Sequence, residues 1–204
     1  MGFYRDQIFP LLINLTMRRQ DLVAYRSRIV PAADGRVLEI GIGSGLNLPF
    51  YSHNVERLIG LDPSVKLLSM VRRNLRPDTP SLELIEGSAE AIPLESASVD
   101  TVVTTWTMCS IPDAGRAVRE MHRVLRPTGR LLFVEHGRAP EPNVRWWQDH
   151  LTPAWIRIGG GCHLNRAIQS LIEDGGFQFD RFETGYMRGP KHLAFMYEGT
   201  ARPR

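Results

Sequence analysis

Short apolar runs at residues 36–40, 57–61, 82–85, 101–105 and 130–135 alternate along this 204-residue chain with longer stretches of helical periodicity. No other property of the sequence restricts the fold so far, because strand, helix and strand in succession close a parallel sheet whose helices cover its faces. The stretch 64–75 carries Val65, Leu68 and Val71 on one side with Arg72 and Arg73 outside, and 113–125 repeats the pattern with Ala117, Met121 and Leu125. Ser64 and Asp113 stand at the start of these helices, where a side-chain oxygen accepts from backbone N–H groups that have no partner inside the helix.

The chain changes character toward its end. Residues 165–174 read as a helix with Asn165 as N-cap and Gly175 and Gly176 as its stop. Two alternating runs, 178–184 and 191–198, flank a turn containing Gly189 and Pro190, and they predict an antiparallel hairpin on the sheet edge. The expected architecture is α/β: a seven-stranded, mostly parallel sheet with a C-terminal antiparallel hairpin and helices on both faces. One domain over 1–204 suffices, with an N-terminal helical cap at 1–30 and a lid-like insertion at 137–163.

Composition then excludes several function classes. The 25 Lys and Arg are interleaved with 22 Asp and Glu for a net charge of +3, which is not the concentrated basic stripe of a nucleic-acid binder. Cys109 and Cys162 are the two cysteines, and with no CxxC and no Cys/His pair at zinc spacing neither a disulfide framework nor a metal is expected. Arg5 and Asp6 precede the apolar residues 8–15, and Pro10 interrupts them, so the layout is not that of a signal peptide. The run also falls short of the roughly 20 residues that cross a bilayer. A cytoplasmic protein without a transmembrane segment, monomer or homodimer, is the expectation.

The strongest local signal is Glu39-Ile40-Gly41-Ile42-Gly43-Ser44-Gly45, directly after the first strand. Glycine permits positive φ there and lets a ligand approach the backbone. Leu46 and Leu48 stand where a dinucleotide GxGxxG would need its third glycine, and no Gly-Lys-Ser/Thr follows for a P-loop. The remaining ExGxGxG pattern resembles motif I of the class I S-adenosylmethionine-dependent methyltransferases, which are Rossmann-like. That resemblance implies S-adenosylmethionine as cofactor, with the glycine turn under its methionine and ribose portion and Asp62 binding both ribose hydroxyls. A carboxylate about 20 residues after the turn is the device other ribose-binding sheets use. The resemblance continues at Gly87-Ser88-Ala89-Glu90, although family members commonly carry an acid where Ser88 stands. It extends to the fourth strand, ending at Thr105, and to the turn at Pro127 and Gly129. The implied cofactor-binding set is Glu39, Gly41, Gly43, Gly45, Asp62, Pro63, Ser88, Ala89, Glu90, Thr105 and Tyr4, with Glu39 expected to orient the loop by accepting backbone N–H bonds.

Acceptor residues should lie just beyond the carboxyl ends of strands four and five. Trp106, Cys109 and His136 fall there; His136 is either a general base or a histidine satisfied by loop backbone, and Cys109 reads as packed. Within the family, the stretch 151–166, with Trp155, Gly159, Cys162, His163, Asn165 and Arg166, resembles the methyltransferase-like group that includes alkyl-thiol S-methyltransferases of endoplasmic reticulum membranes. Those relatives carry an N-terminal anchor, which this chain is read as lacking. The sheet motifs are shared with ubiquinone and menaquinone C-methyltransferases. Trp146, Trp147 and Trp155 with Ile156 either wall the crevice or bury their own helix. Trp155 and His163 complete the expected substrate set, with Cys162 and His163 read as supporting rather than as a catalytic pair. Phe3, Tyr4, Ile8 and Leu12 share helical spacing that can bring an aromatic over the methyl donor. Arg18, Arg19, Arg26 and Arg28 either pack or touch an anionic lipid surface. The expected activity is methylation of a small apolar acceptor, a thiol preferred; the alternatives are C- or N-methylation of a quinone or phospholipid amine, or a non-catalytic cofactor-binding regulator.

Overall fold

The computed structural model describes residues 4–75 and 79–204; Phe3 lies outside them. Seven strands, β1 (Gly35–Ile40), β2 (Val55–Asp62), β3 (Leu82–Glu86), β4 (Val99–Thr105), β5 (Leu125–His136), β6 (Phe177–Tyr186) and β7 (Phe195–Pro203), form one sheet in the order β3-β2-β1-β4-β5-β7-β6. The first five pair in parallel, while β7 runs antiparallel between β5 and β6. The helices are α1 (Phe9–Thr16), α2 (Gln20–Ile29), α3 (Val65–Asn74), α4 (Ala114–Val124), α5 (Pro142–Ile158), α6 (Ile168–Asp174) and the single turn α7 (Lys191–Ala194).

Central strands are apolar on both sides because both faces are covered. Leu38, Ile40, Ile59, Leu61, Val102 and Phe133 pack with Ala117, Val118 and Met121 of α4 and with Ile168 and Ile172 of α6. The intervening residues Val37, Leu58, Val103, Leu132 and Val134 meet Ile29 and Val30 on the opposite face. The two N-caps form: Ser64 Oγ accepts from Leu67 N at 3.3 Å, and Asp113 Oδ1 accepts from Arg116 N at 2.9 Å.

Two local expectations fail. Asn165 caps nothing, since α6 begins at Ile168 and the Asn165 amide instead donates to Asp149 Oδ1 at 2.7 Å. The run 191–198 divides: Pro190 leads into the turn α7, closed by Leu193 N donating to the Pro190 carbonyl at 2.9 Å, and the strand begins only at Phe195. It continues to Pro203 and lies inside the sheet, so the period-two pattern of a half-exposed strand does not mark its limits.

At the N-terminus a π-helical turn, Tyr4–Ile8, enters α1. Arg28 pairs with Glu198 of β7 at 2.9 Å, Arg19 with Asp21, and Arg18 donates to Asn14. Arg26 is buried, its Nε donating to Asn47 Oδ1 at 3.0 Å and its Nη1 to the Met17 carbonyl. The segment is therefore tied to the sheet through arginine. It also meets the end of α5: Tyr4 donates to the Ile158 carbonyl at 3.0 Å, and a Cβ on Gly160 would fall 2.2 Å from the Phe9 ring. Only a glycine, held at φ +65°, allows that approach. No helix among the described residues is long and apolar enough to cross a membrane.

Candidate active site

β1 hydrogen-bonds to β2 on one side and to β4 on the other, so the chain order reverses beside it. Such a reversal opens a crevice at the carboxyl ends of the strands. A cavity of about 1260 Å³ lies there, roofed by the Tyr4–Thr16 region and the end of α5.

On one side of this cavity stand the residues that leave β1, β2 and β3. Gly41, Gly43 and Gly45 all have positive φ, at +69°, +58° and +81°. A Cβ on Gly43 would meet no neighbouring atom closer than 3.9 Å, so the missing side chain leaves an open cradle over the loop. Asp62 is buried at the end of β2; its Oδ2 accepts from Gly43 N at 2.9 Å and its Oδ1 from Ser64 N at 2.8 Å. Burial raises its pKa, and the two backbone donors resist the rise. Each oxygen keeps a further lone pair, so two hydroxyls can bind without displacing the backbone. Pro63, Ser88, Ala89 and Glu90 line the cavity with Gly43 and Asp62, as do Gly41 and Glu39, and Thr105 at the end of β4 and Tyr4 in the roof line it too. Gly45 does not; the space of its absent Cβ is occupied from 2.9 Å outward by Leu48. Ser88 Oγ donates to Glu90 Oε2 at 2.8 Å, and Glu90 Oε1 accepts from Asp113 N at 2.7 Å, which ties the β3 loop to the start of α4.

Glu39 orients the loop by a different route from the one expected. Its oxygens accept from Asn47 Nδ2 at 2.8 Å and Tyr51 Oη at 2.8 Å, two side chains, rather than from backbone N–H groups. The strand ladder already engages the nearby backbone, leaving Glu39 to gather donors from the loop beyond it. Burial pushes its pKa up to about 7. Asn47 is the hub, donating also to Thr105 Oγ1 at 3.0 Å and accepting from Arg26, whose own pKa burial lowers to about 10. Asn47 follows the glycine motif by two residues, which was the available sign of its role; nothing in the sequence marked Tyr51.

The other side gathers residues from three distant segments. Trp106 follows β4 at φ +51°, a conformation that costs a non-glycine residue about 1–3 kcal/mol. It is braced by the Arg26 guanidinium 4.9 Å from its ring and by the edge of Tyr25. Cys109 is buried in the loop beyond, His136 ends β5, and Cys162 follows the Gly159–Gly161 turn. Their Sγ, imidazole nitrogen and Sγ atoms all lie within 4.8 Å of one another, with His136 Nε2 3.0 Å from Cys162 Sγ. The hydrogen bond from Cys162 and the nearby imidazole hold the Cys109 thiol well below its ordinary pKa, against the effect of burial. Burial alone would lower His136; the Cys109 sulfur outweighs it and raises the imidazole. Cys109 is packed, as its sequence surroundings suggest, and folding brings the His136 imidazole beside its sulfur.

Trp155 lines the cavity beside these groups. Trp146 and Trp147 do not: they are 52% and 53% exposed on the outer face of α5, where Trp146 stacks on His150. Ile156 is likewise off the lining. His163 is turned away as well, its Nδ1 3.2 Å from the Cys109 carbonyl and 2.9 Å from Arg166 Nη2, so it fastens the loop instead of facing the cavity. Behind His136, Glu135 is fully buried; Oε1 accepts from Thr104, Thr107 N and Met108 N, and burial pushes its pKa up to about 8.

Residues 38–133 match the family model described as a methyltransferase domain. A phosphatidylethanolamine N-methyltransferase of Cereibacter sphaeroides is 38% identical over 171 residues, covering 76% of this chain and 82% of that protein. Thiol S-methyltransferase TMT1B of Homo sapiens is 32% identical over 154 residues, 71% of this chain and 62% of that protein, so the chain spans about three-fifths of the length of this relative. Among solved structures, an S-adenosylmethionine-dependent methyltransferase from Mesorhizobium loti superposes with a TM-score of 0.66 over 91% of this chain and 98% of its own, at 17% identity, a likeness of fold. With the glycine loop, the carboxylate ending β2 and the 38% relative all in agreement, the chain belongs to the class I S-adenosylmethionine-dependent methyltransferases.

Proposed function

We propose that this enzyme methylates a small apolar acceptor, a thiol in the first instance, inside the cavity at the β1/β4 boundary. When bound, S-adenosylmethionine supplies an electrophilic sulfonium methyl group. Asp62 takes the ribose hydroxyls on its remaining lone pairs, the cradle at Gly43 receives the chain of the cofactor, and Ala89 with Ser88 and Glu90 borders its base. Tyr4 and Thr105 close the space around it. Trp106, Cys109, His136 and Trp155 surround the acceptor, and the roof of α1 and α5 excludes water. Dry, oriented reactants lower the barrier by several kcal/mol without further chemistry from the protein.

The observation that carries the thiol reading is how the carboxylates lining the cavity are spent. Glu39 is held by Asn47 and Tyr51, Asp62 by two backbone amides, and Glu90 by Ser88 and the Asp113 amide. His136 faces Cys162. With its carboxylates and imidazole so engaged, the site suits an acceptor whose proton leaves without a protein base, as a thiol's does more readily than that of an alcohol or ammonium. The human TMT1B likeness supports the same choice. The test is turnover of butanethiol with labelled methyl donor: kcat/KM should climb with pH as the thiolate fraction rises. Absence of any thiol product under saturating cofactor would sink the reading.

One observation favours a second acceptor. Leu11, Leu12 and Leu15 are 52%, 48% and 71% exposed on α1, and Leu12 also lines the cavity. An apolar helix face at the mouth suits entry of a lipid amine, in keeping with the Cereibacter sphaeroides relative. Phosphatidylethanolamine vesicles in the same assay decide between the two.

A further inference from the structure

The cluster on the acceptor side has a donor set and a shape that methyl transfer alone does not call for. Two sulfurs and one imidazole nitrogen, from Cys109, His136 and Cys162, converge with all three atoms inside 4.8 Å. Zinc takes Cys sulfur at about 2.3 Å and His nitrogen at about 2.0–2.1 Å in a tetrahedron, which sets its ligand atoms roughly 3.5–3.8 Å apart. The 3.0 Å between His136 Nε2 and Cys162 Sγ and the 4.8 Å limit of the group bracket that spacing, so small side-chain rotations suffice.

The scaffold under the cluster is fixed. Glu135 Oε1 accepts from the Thr107 and Met108 amides and so sets the loop that carries Cys109. The Cys109 carbonyl accepts from His163 N at 2.8 Å, which clamps the loop of Cys162 to it. His136 pairs across the sheet with Met196. Beside Cys162 the Trp155 indole N–H is buried and neighbours the sulfur, with no other partner among the described residues. An N–H aimed at a metal-bound thiolate is a recurrent way of tuning such a ligand.

We propose that Cys109, His136 and Cys162 hold a zinc ion through three protein ligands, with the fourth coordination position opening into the cavity. All three residues line that cavity, and three ligands plus an open position is the arrangement of catalytic rather than structural zinc. Resting on the thiol reading above, the open position takes the acceptor sulfur. A thiol arriving there forms a zinc–sulfur bond through its lone pair, displaces a bound water, and gives up its proton with that water to solvent. The nucleophile is then held as a thiolate in the apolar cavity. The spacing of the three residues along the chain hides all of this, because each comes from a different segment: the loop after β4, the end of β5 and the turn after α5.

Cobalt(II) reports the site directly. The full chain, reduced and stripped with chelator, is titrated anaerobically with cobalt. One equivalent should produce thiolate-to-cobalt charge transfer in the near ultraviolet and intense tetrahedral bands in the visible. Cys109→Ser, Cys162→Ser and His136→Ala should each weaken cobalt binding on the order of 100-fold or more. Retained S-adenosylhomocysteine binding in the same variants shows that they are folded. Butanethiol added to the cobalt protein should intensify and shift the charge-transfer band. A reduced wild-type chain without the charge-transfer band overturns the site. A cobalt spectrum unmoved by butanethiol overturns the acceptor position, as does an unchanged rate of thiol methylation after the metal is stripped. A normal cobalt spectrum in a protein that methylates no thiol overturns the proposed function and leaves the metal site standing.

Discussion

The two sides of the one cavity are built in opposite ways. The cofactor side is assembled from consecutive strand ends: Gly41 and Gly43 leave β1, Asp62 ends β2, and Ser88 to Glu90 leave β3. Each is placed by the sheet itself, through the parallel register of its strand with its neighbours. The acceptor side brings together Cys109 from the loop after β4, His136 from the end of β5 and Cys162 from the turn after α5, and Cys162 joins only when α5 folds back over β5. A site set by strand register is reproducible across many sequences, while a site set by a returning segment is free to change. The first should therefore tolerate little and serve one ligand; the second should decide which acceptor is taken.

Substitutions can break this division or sharpen it. The largest effect is expected for Asp62→Asn, which keeps the side chain's size but exchanges a charged acceptor of two hydroxyls for a half-donor. At about 1.5–3 kcal/mol for each hydrogen bond to a charged group, S-adenosylhomocysteine affinity should fall on the order of 100-fold by calorimetry. Unaltered affinity would remove Asp62 from the ribose. Gly43→Ala follows: a left-handed φ of +58° costs a side-chain-bearing residue about 1–2 kcal/mol, and the new methyl occupies the cradle, so cofactor affinity should drop roughly tenfold or more. Trp155→Ala should instead leave cofactor affinity intact and raise acceptor KM several-fold; an equal loss of both would show that the two sides are not separable.

Smaller effects test the supports. Glu39 has a folded pKa raised to about 7 from an ordinary 4.5, so its protonated form is favoured by folding. Its contribution to stability is complete below pH 4.5 and is lost as pH rises through about 7. Urea denaturation of the wild type should show that decline, and Glu39→Gln, neutral at every pH, should flatten it; parallel slopes would mean that the carboxyl titrates normally. Trp146→Ala, on the exposed face of α5, should change neither KM nor stability beyond about 0.5 kcal/mol. A marked rise in acceptor KM would return this tryptophan to the cavity wall.

What the chain disclosed in advance divides along the same line. The parallel strands, the glycine turn and Asp62 were legible because each rests on local spacing: an apolar run, a turn, an acid at the next strand end. The Ser64 and Asp113 caps were legible for the same reason. β7 was legible as the second arm of the antiparallel hairpin but its limits were not, since a strand paired on both edges and buried along most of its length shows no alternation, and the α7 turn before it broke the expected run. Trp146, Trp147 and Trp155 looked alike in sequence, yet the helix rotates only Trp155 toward the cavity. His163 and Cys162 are neighbours that diverge, one clamping the Cys109 carbonyl and the other joining the cluster. The hub Asn47, with Arg26 and Tyr51, depended on three segments meeting in the interior.

The most direct measurement is a crystal structure of the protein with S-adenosylhomocysteine. The two ribose hydroxyls are expected on the Asp62 carboxylate, with the homocysteine sulfur directed to the space bounded by Trp106, Cys109, His136 and Trp155. A sugar bound away from Asp62, or a sulfur facing solvent with that space closed by side chains, would contradict this placement.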